Sequence, residues 1–265
     1  MSVLATSKIL LEVRDGVGLL TFNHPERRNA MSLEMWQGLG DAAEALQADA
    51  SVRVVVMRGA GGKAFVSGAD ISEFEQQRAN AAQKEAYGRI AARGTLGLAN
   101  LTKPLIALIE GFCIGGGLAL ALTADVRFAA AGSRFGIPAA KLGLGYEYAG
   151  IAALARLVGP SAAKDILFSA RFLETDEALR IGLVNAVHEP AELESKVYDY
   201  AQRIAANAPL TVHAAKQAVR VFERYSVTDA SAEIDALVDR CFDSDDYREG
   251  RSAFLDKRTP KFEGR

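Results

Sequence analysis

Two short stretches offer bare backbone at which chemistry could be done. The first, Lys103 to Asp125, reads KPLIALIEGFCIGGGLALALTAD. Leu105 to Ile109 has the length and β-branched content of a buried strand. Gly111 can turn the chain, and Leu118 to Leu122 reads as the start of a buried helix. Gly115, Gly116 and Gly117 stand between the two, and three adjacent glycines let a ligand approach the main chain. The unpaired N–H groups of a helix start point outward there, where the helix dipole favours negative charge. Such a turn suits an anion or a developing oxyanion, and it equally suits close helix–strand packing without chemistry. The second stretch, AFVSGAD, Ala64 to Asp70, follows an apolar strand from Val54 to Met57. Gly68 sits at its bend, and Ala69 and Asp70 open a helix that Asp70 is placed to cap. Two strand–turn–helix corners, each with a free N–H, could converge on one oxygen.

The rest of the chain must position these corners. Ile9 to Val13 and Val17 to Phe22 flank Asp15-Gly16, a β-hairpin pattern. Arg27 and Arg28 follow on a loop, as a solvated pair or a phosphate contact. Ser32 starts a helix running to about Asp49, with Glu34 in its acidic first turn. Val52 to Arg58 is a buried strand, and Ser72 to Ala99 is alanine-rich and poorly capped, the composition of a mobile lid. Val126 to Ala129 and Leu183 to Val187 are further short strands. From Ala149 the pattern turns helical, with Pro160 in a first turn and Thr175 as a cap. The composition shift near residue 190 separates a core, residues 1–190, from a helical region, residues 191–265.

The bulk properties agree. A chain of 265 residues with 49% hydrophobic and 24% charged residues has enough apolar material for one large core. A net charge of −2 gives no reason to expect nucleic acid as a partner. Cys113 and Cys241 show no pairing pattern and fit a reducing, cytoplasmic setting. The sequence shows no signal peptide and no apolar run long enough to span a membrane. His24, His188 and His213 are scattered without metal spacing, so no metal is expected.

IEGFCIGGGLALALTADVRFAA and GGKAFVSGADISEF resemble the two signature segments of the crotonase, or enoyl-CoA hydratase/isomerase, superfamily. TFNHPERRNAMS, ALRIGLVNAV and FLDKRTPKFEGR are similar to its other landmarks, so the resemblance spans nearly the whole chain. It implies an α/β fold, a crotonase-like ββα spiral core followed by a C-terminal helical trimerisation region, in a homotrimer or hexamer. It implies an acyl-CoA substrate and no separate cofactor, coenzyme A being part of the substrate. The Ala69 and Gly116 N–H groups would hold the thioester oxygen as an enolate forms. Arg27, Arg28, Ala64, Ala69, Asp70, Ile71, Gly116, Phe254 and Lys257 would contact the substrate and its coenzyme A.

The sequence departs from the hydratase pattern at two positions. Where family hydratases place their glutamates, this chain has Ala119 and Ala139, and neither moves a proton. Nearby, GLGYEYAG places Tyr146, Glu147 and Tyr148 where hydratases have small residues and proline. Tyr146 stands where the family's methylmalonyl-CoA decarboxylases have a tyrosine, and Glu147 is a candidate relocated base. The expectation is an enoyl-CoA hydratase/isomerase-like enzyme working through an enolate. A decarboxylase using Tyr146 and a non-catalytic acyl-CoA-binding subunit are the alternatives.

Overall fold

The computed structural model describes residue 4 and residues 6–73, 80–207, 209–224, 242–258 and 260. β1 (Ile9–Arg14) and β2 (Val17–Phe22) form the expected hairpin, paired antiparallel from Ile9↔Phe22 to Arg14↔Val17. Asp15 and Gly16 both take positive φ, 50° and 78°, the turn whose twist matches that of the strands. β3 (Val54–Gly59), β5 (Leu105–Ile109), β7 (Val126–Ala130) and β9 (Ala186–His188) add in parallel to give a six-stranded sheet, β1-β2-β3-β5-β7-β9. A second, three-stranded parallel sheet is built from β4 (Ala64–Val66), β6 (Phe112–Ile114) and β8 (Arg134–Gly136).

The chain makes one move three times. A strand of the large sheet is followed by a strand of the small sheet and then by a helix: α2 (Ala81–Ala99), α3 (Gly116–Ala121) or α4 (Tyr148–Ser169). This is the ββα spiral. α1 (Leu33–Ala48) lies between β2 and β3, and Ser32 Oγ accepts from the Met35 N–H at its start, 3.3 Å. The large sheet is covered on both faces. Val55, Met57, Leu105, Ala107 and Ile109 pack in one cluster with α1. Val54, Val56, Ile106 and Leu108 pack in another against Leu193, Val197 and Ala201 of α6 (Pro190–Ala205). Burial on both faces is why these strands read as unbroken apolar runs.

Several local expectations shift. α3 starts at Gly116, ahead of the apolar pattern at Leu118, because the glycines themselves make its first turn. α2 does carry a cap: Asn80 Oδ1 accepts from the Gln83 N–H at 3.0 Å. Its Tyr87 and Leu98 are buried, and residues 74–79 of the expected lid lie outside the described residues. At α5 (Thr175–Arg180) the cap position is Glu174, whose side chain makes no capping bond, and Thr175 is buried instead. Within α4, Gly159 (φ 80°) breaks the helix and Pro160 opens its second half, as expected. After α6, α7 (Pro209–Arg224) follows, and α8 (Asp245–Leu255) returns to pack on the turn Pro138–Leu142.

Candidate active site

The first corner is braced by the loop after β2. Met31 N–H donates to the Gly68 carbonyl at 2.8 Å, and Asp70 N–H donates to the Met31 carbonyl at 2.9 Å, forming a bridge beside Ala69. Ser67 N–H donates to the Arg28 carbonyl at 3.1 Å. Asn29, fully buried at φ 56°, ties the loop to the strand behind it. Its Oδ1 accepts from the His24 N–H at 2.9 Å, and its Nδ2 donates to the Ala60 and Ala64 carbonyls at 3.0 and 2.8 Å. Asp70 caps the short turn Ile71–Glu73, its Oδ1 accepting from the Ser72 N–H and hydroxyl at 3.0 and 2.6 Å.

The second corner meets the first. Gly115 N–H donates to the Gly136 carbonyl at 2.8 Å, anchoring the turn to the small sheet. A β-carbon on Gly116 would lie 3.8 Å from the Ala69 nitrogen and 3.9 Å from Trp36 Cζ2. Among the described residues, none accepts from the N–H of Ala69 or of Gly116. The two unused donors thus lie on adjoining corners, across the gap that a β-carbon on Gly116 would enter. Trp36 borders the same gap, its Nε1 donating to Tyr87 Oη at 2.6 Å, and Tyr87 Oη reaches the Met31 carbonyl at 3.4 Å. Cys113 lies close in sequence but is buried, and burial pushes its thiol up, which suits an inert core residue.

The Tyr146 hydroxyl donates to the Gly115 carbonyl at 3.2 Å, on the opposite side of that trans peptide from the Gly116 N–H. Glu147 is exposed at the start of α4 without capping it. Its Oε1 lies 3.9 Å from where a β-carbon on Gly88 of α2 would be. Ala119 sits half-buried in α3, and Ala139 packs against the core from the Pro138–Leu142 turn. The C-terminal segment closes this side. Phe242 and Tyr247, with ring centres 4.9 Å apart and at most 1% exposed, pack against Ala69, Ile71 and Leu144.

Among the expected substrate contacts, Arg27, Arg28, Asp70 and Ile71 are therefore gathered at the Ala69 corner. Arg28 places its guanidinium 5.2 Å over the Phe112 ring. Ala64 is buried in β4 with its carbonyl taken by Asn29. Phe254 and Lys257 are exposed at the far end of α8, Lys257 at φ 53°. Asn29, Trp36, Tyr87, Phe242 and Tyr247 are the site residues that spacing did not reveal. Two concavities, of about 400 and 820 Å³, share Leu19, Arg58 and Glu194, and neither is lined by Ala69 or by Gly115 to Gly117. Among the described residues no group of three metal-ligating side chains is found.

Residues 12–265 match the enoyl-CoA hydratase/isomerase family. The chain belongs to that family. It is 36% identical over 258 residues to a short-chain-enoyl-CoA hydratase of Clostridium acetobutylicum, covering 97% of both chains. Among solved structures it is similar to an enoyl-CoA hydratase/carnithine racemase from Magnetospirillum magneticum, with 39% identity, a TM-score of 0.82 and coverage of 99% and 97%. It is also similar to methylmalonyl-CoA decarboxylase in complex with 2-nitronate-propionyl-CoA, with 29% identity, a TM-score of 0.89 and coverage of 98% and 100%. The family's signature segments fall on the two corners, and the spiral expected from them is the fold observed. No described helix is long and apolar enough to cross a membrane.

Proposed function

We propose that this enoyl-CoA hydratase/isomerase-family enzyme binds an acyl-CoA thioester with its carbonyl oxygen between the Ala69 and Gly116 N–H groups. An enolate formed next to that carbonyl is then stabilised without any cofactor beyond the coenzyme A of the substrate. The observation that supports the reading is the meeting of the two corners, where a β-carbon on Gly116 would lie 3.8 Å from the Ala69 nitrogen and neither N–H has an acceptor among the described residues. One such donor is worth about 3–4 kcal/mol in a transition state. Arg27, Arg28 and Lys257 serve the phosphates, and Asp70, Ile71 and Phe254 line the path of the coenzyme, with Ala64 buried behind it. The assembly is a homotrimer or a pair of trimers in the cytoplasm. Gly116→Pro removes one donor and should lower turnover of any accepted thioester roughly 100-fold. A folded Gly116→Pro protein with full activity would falsify the assignment.

Ala119 and Ala139 shape the reaction. A positioned acid or base contributes about 10²–10⁴-fold, and neither alanine supplies one. Hydration of crotonyl-CoA is therefore expected to be slow. Efficient wild-type hydration that collapses in Glu147→Gln would identify Glu147 as the base and overturn that expectation.

The Tyr146 hydroxyl at 3.2 Å from the Gly115 carbonyl supports a second reading, decarboxylation. The bond from the α-carbon to a carboxylate breaks, carbon dioxide leaves, and the electron pair passes into the enolate held at Ala69 and Gly116. A proton from water then restores the carbon. Tyr146 orients the carboxylate, and no base is required. Release of carbon dioxide from methylmalonyl-CoA, lost in Tyr146→Phe, is the expected result for this reading.

A further inference from the structure

The two donors sit on separate elements, so their spacing must be fixed from outside. Ala69 is clamped by Met31, whose N–H donates to the Gly68 carbonyl and whose carbonyl accepts from the Asp70 N–H. The Gly116 corner is edged by Trp36, with Cζ2 3.9 Å from where a β-carbon on Gly116 would lie. One hydroxyl joins these two neighbours. Tyr87 Oη accepts from Trp36 Nε1 at 2.6 Å and donates to the Met31 carbonyl at 3.4 Å. All three residues are buried. A phenylalanine and a leucine would fill such a space without polar ends. Burying an indole N–H and a phenol is unfavourable unless both are paired, and their bond then specifies one arrangement of the rings.

Tyr87 arrives on a helix that is fixed elsewhere. A β-carbon on Gly97 of α2 would lie 2.8 Å from Ala43 Cβ on α1, and one on Gly94 would lie 3.2 Å from Leu39 Cβ. Arg93 adds ion pairs to Asp41 and Glu44, each at 2.8 Å. The second half of α2 is thus held on α1, and the first half carries Tyr87 to the site.

We propose that the Trp36–Tyr87 hydrogen bond is a strut that sets the Ala69 donor against the Gly116 donor. Both aromatic side chains are then positioning residues for the oxyanion site. The inference rests on the acyl-CoA reading above. Neither side chain need touch the substrate: Tyr87 acts on Ala69 through Met31, and Trp36 acts as a stop beside Gly116. Without the bond the indole is no longer held in one orientation, and the two corners lose their common spacing. Donors stabilise an oxyanion only when both lie about 3 Å from it, and a misplacement of about 1 Å can cost roughly 100-fold.

The test uses acetoacetyl-CoA, a thioester that ionises without help from an acid or base of the protein. The proton between its two carbonyls passes to solvent and the electron pair enters the enolate, whose near-ultraviolet absorbance reads the ionised fraction. Bound to wild type, the enolate-to-keto ratio should exceed that of the free thioester at the same pH by about 10-fold or more. In Tyr87→Phe and in Trp36→Phe this excess should fall about 10-fold, while affinity for free coenzyme A is unchanged. The double variant should fall no further than the worse single one, because one bond is lost in each. Trp36 is the chain's one tryptophan, so its emission reads the strut directly. It should shift in Tyr87→Phe, and in wild type on binding acetoacetyl-CoA but not free coenzyme A. A full enolate excess in both variants, additive losses in the double variant, or an emission unmoved by Tyr87→Phe overturns the proposal. Coenzyme A affinity that falls in step with the enolate excess means that the pair merely supports the fold, again against it. Should neither variant fold, the wild-type emission decides, and no shift with acetoacetyl-CoA counts against the strut. Absence of any enolate excess in wild type would instead sink the oxyanion reading, and this inference with it.

Discussion

At Gly116 the backbone holds its place through what the side chains lack, whereas at Ala69 it is held by bonds from distant parts of the chain. A β-carbon on Gly117 would lie 2.0 Å from the Val66 carbonyl oxygen, so helix α3 and strand β4 touch only because no side chain intervenes. Gly115 takes φ 55° and ψ −118°, a backbone shape that L side chains rarely adopt. The Ala69 corner has its own turning glycine, Gly68 at φ 115°, but the rest of its support is remote. Met31 bridges it, Asn29 anchors the loop beside it, and Phe242 and Tyr247 back it. The Gly116 corner is a local, steric solution. The Ala69 corner is a tertiary one, and it should fail gradually where the Gly116 corner fails abruptly.

The sharpest way to break this contrast is at adjacent glycines. Gly117→Ala drives a β-carbon into a carbonyl and should cost about 3 kcal/mol or more, read as a lowered thermal midpoint. Gly116→Ala meets only ordinary contacts at 3.8–3.9 Å and should change stability by less than about 1 kcal/mol. Its methyl group nevertheless enters the gap between the two donors, so turnover should fall while the fold persists. Equal destabilisation by the two changes would erase the distinction between them. A middle-sized effect is expected at Asn29. Asn29→Ala leaves the His24 N–H and the Ala60 and Ala64 carbonyls unpaired and should cost about 2–3 kcal/mol. Turnover should fall with it, because Ala69 loses its registration; denaturant titration alongside initial rates measures both, and a loss of stability at unchanged kcat would detach Asn29 from the donor. The smallest effect belongs to Asp70→Ala, which removes the cap on residues 71–73 at about 1 kcal/mol. If that change abolished activity while leaving stability intact, Asp70 would belong to the chemistry and not to the scaffold.

What could be read from the sequence follows the same division. Gly115 to Gly117 and Gly68 announce themselves, because sharp turning and close approach demand glycine. Asp15-Gly16 identified the hairpin through turn chemistry, and β3 and β5 showed as apolar runs because both of their faces are covered. β4, β6 and β8 left no such trace, since three residues are too few to display a period. In the sequence Trp36 is one more apolar position on α1. Its place beside Gly116 depends on a bond to Tyr87, 51 positions away. Asn29, Phe242 and Tyr247 were hidden for the same reason, being distant in sequence and adjacent only once the spiral is wound. The importance of Ala119 and Ala139 came through family resemblance alone, as a methyl group announces no chemistry.

The docking of α8 also has a consequence for how the protein is made. Ala81 N–H bonds Asp243 Oδ1 at 3.0 Å across 162 positions of chain, and Phe242 beside it backs Ala69. During translation both sheets, both corners and the Tyr146 loop are synthesised before α8 exists. Domains fold as they emerge, the N-terminal part first. A growing chain therefore spends its last stretch of synthesis with Ala69, Ile71 and Leu144 uncovered, and the site is seated only when Phe242 and Tyr247 arrive. A chain that ends before residue 242 lacks the two aromatic rings that cover Ala69, Ile71 and Leu144, so its first cost falls on the Ala69 corner.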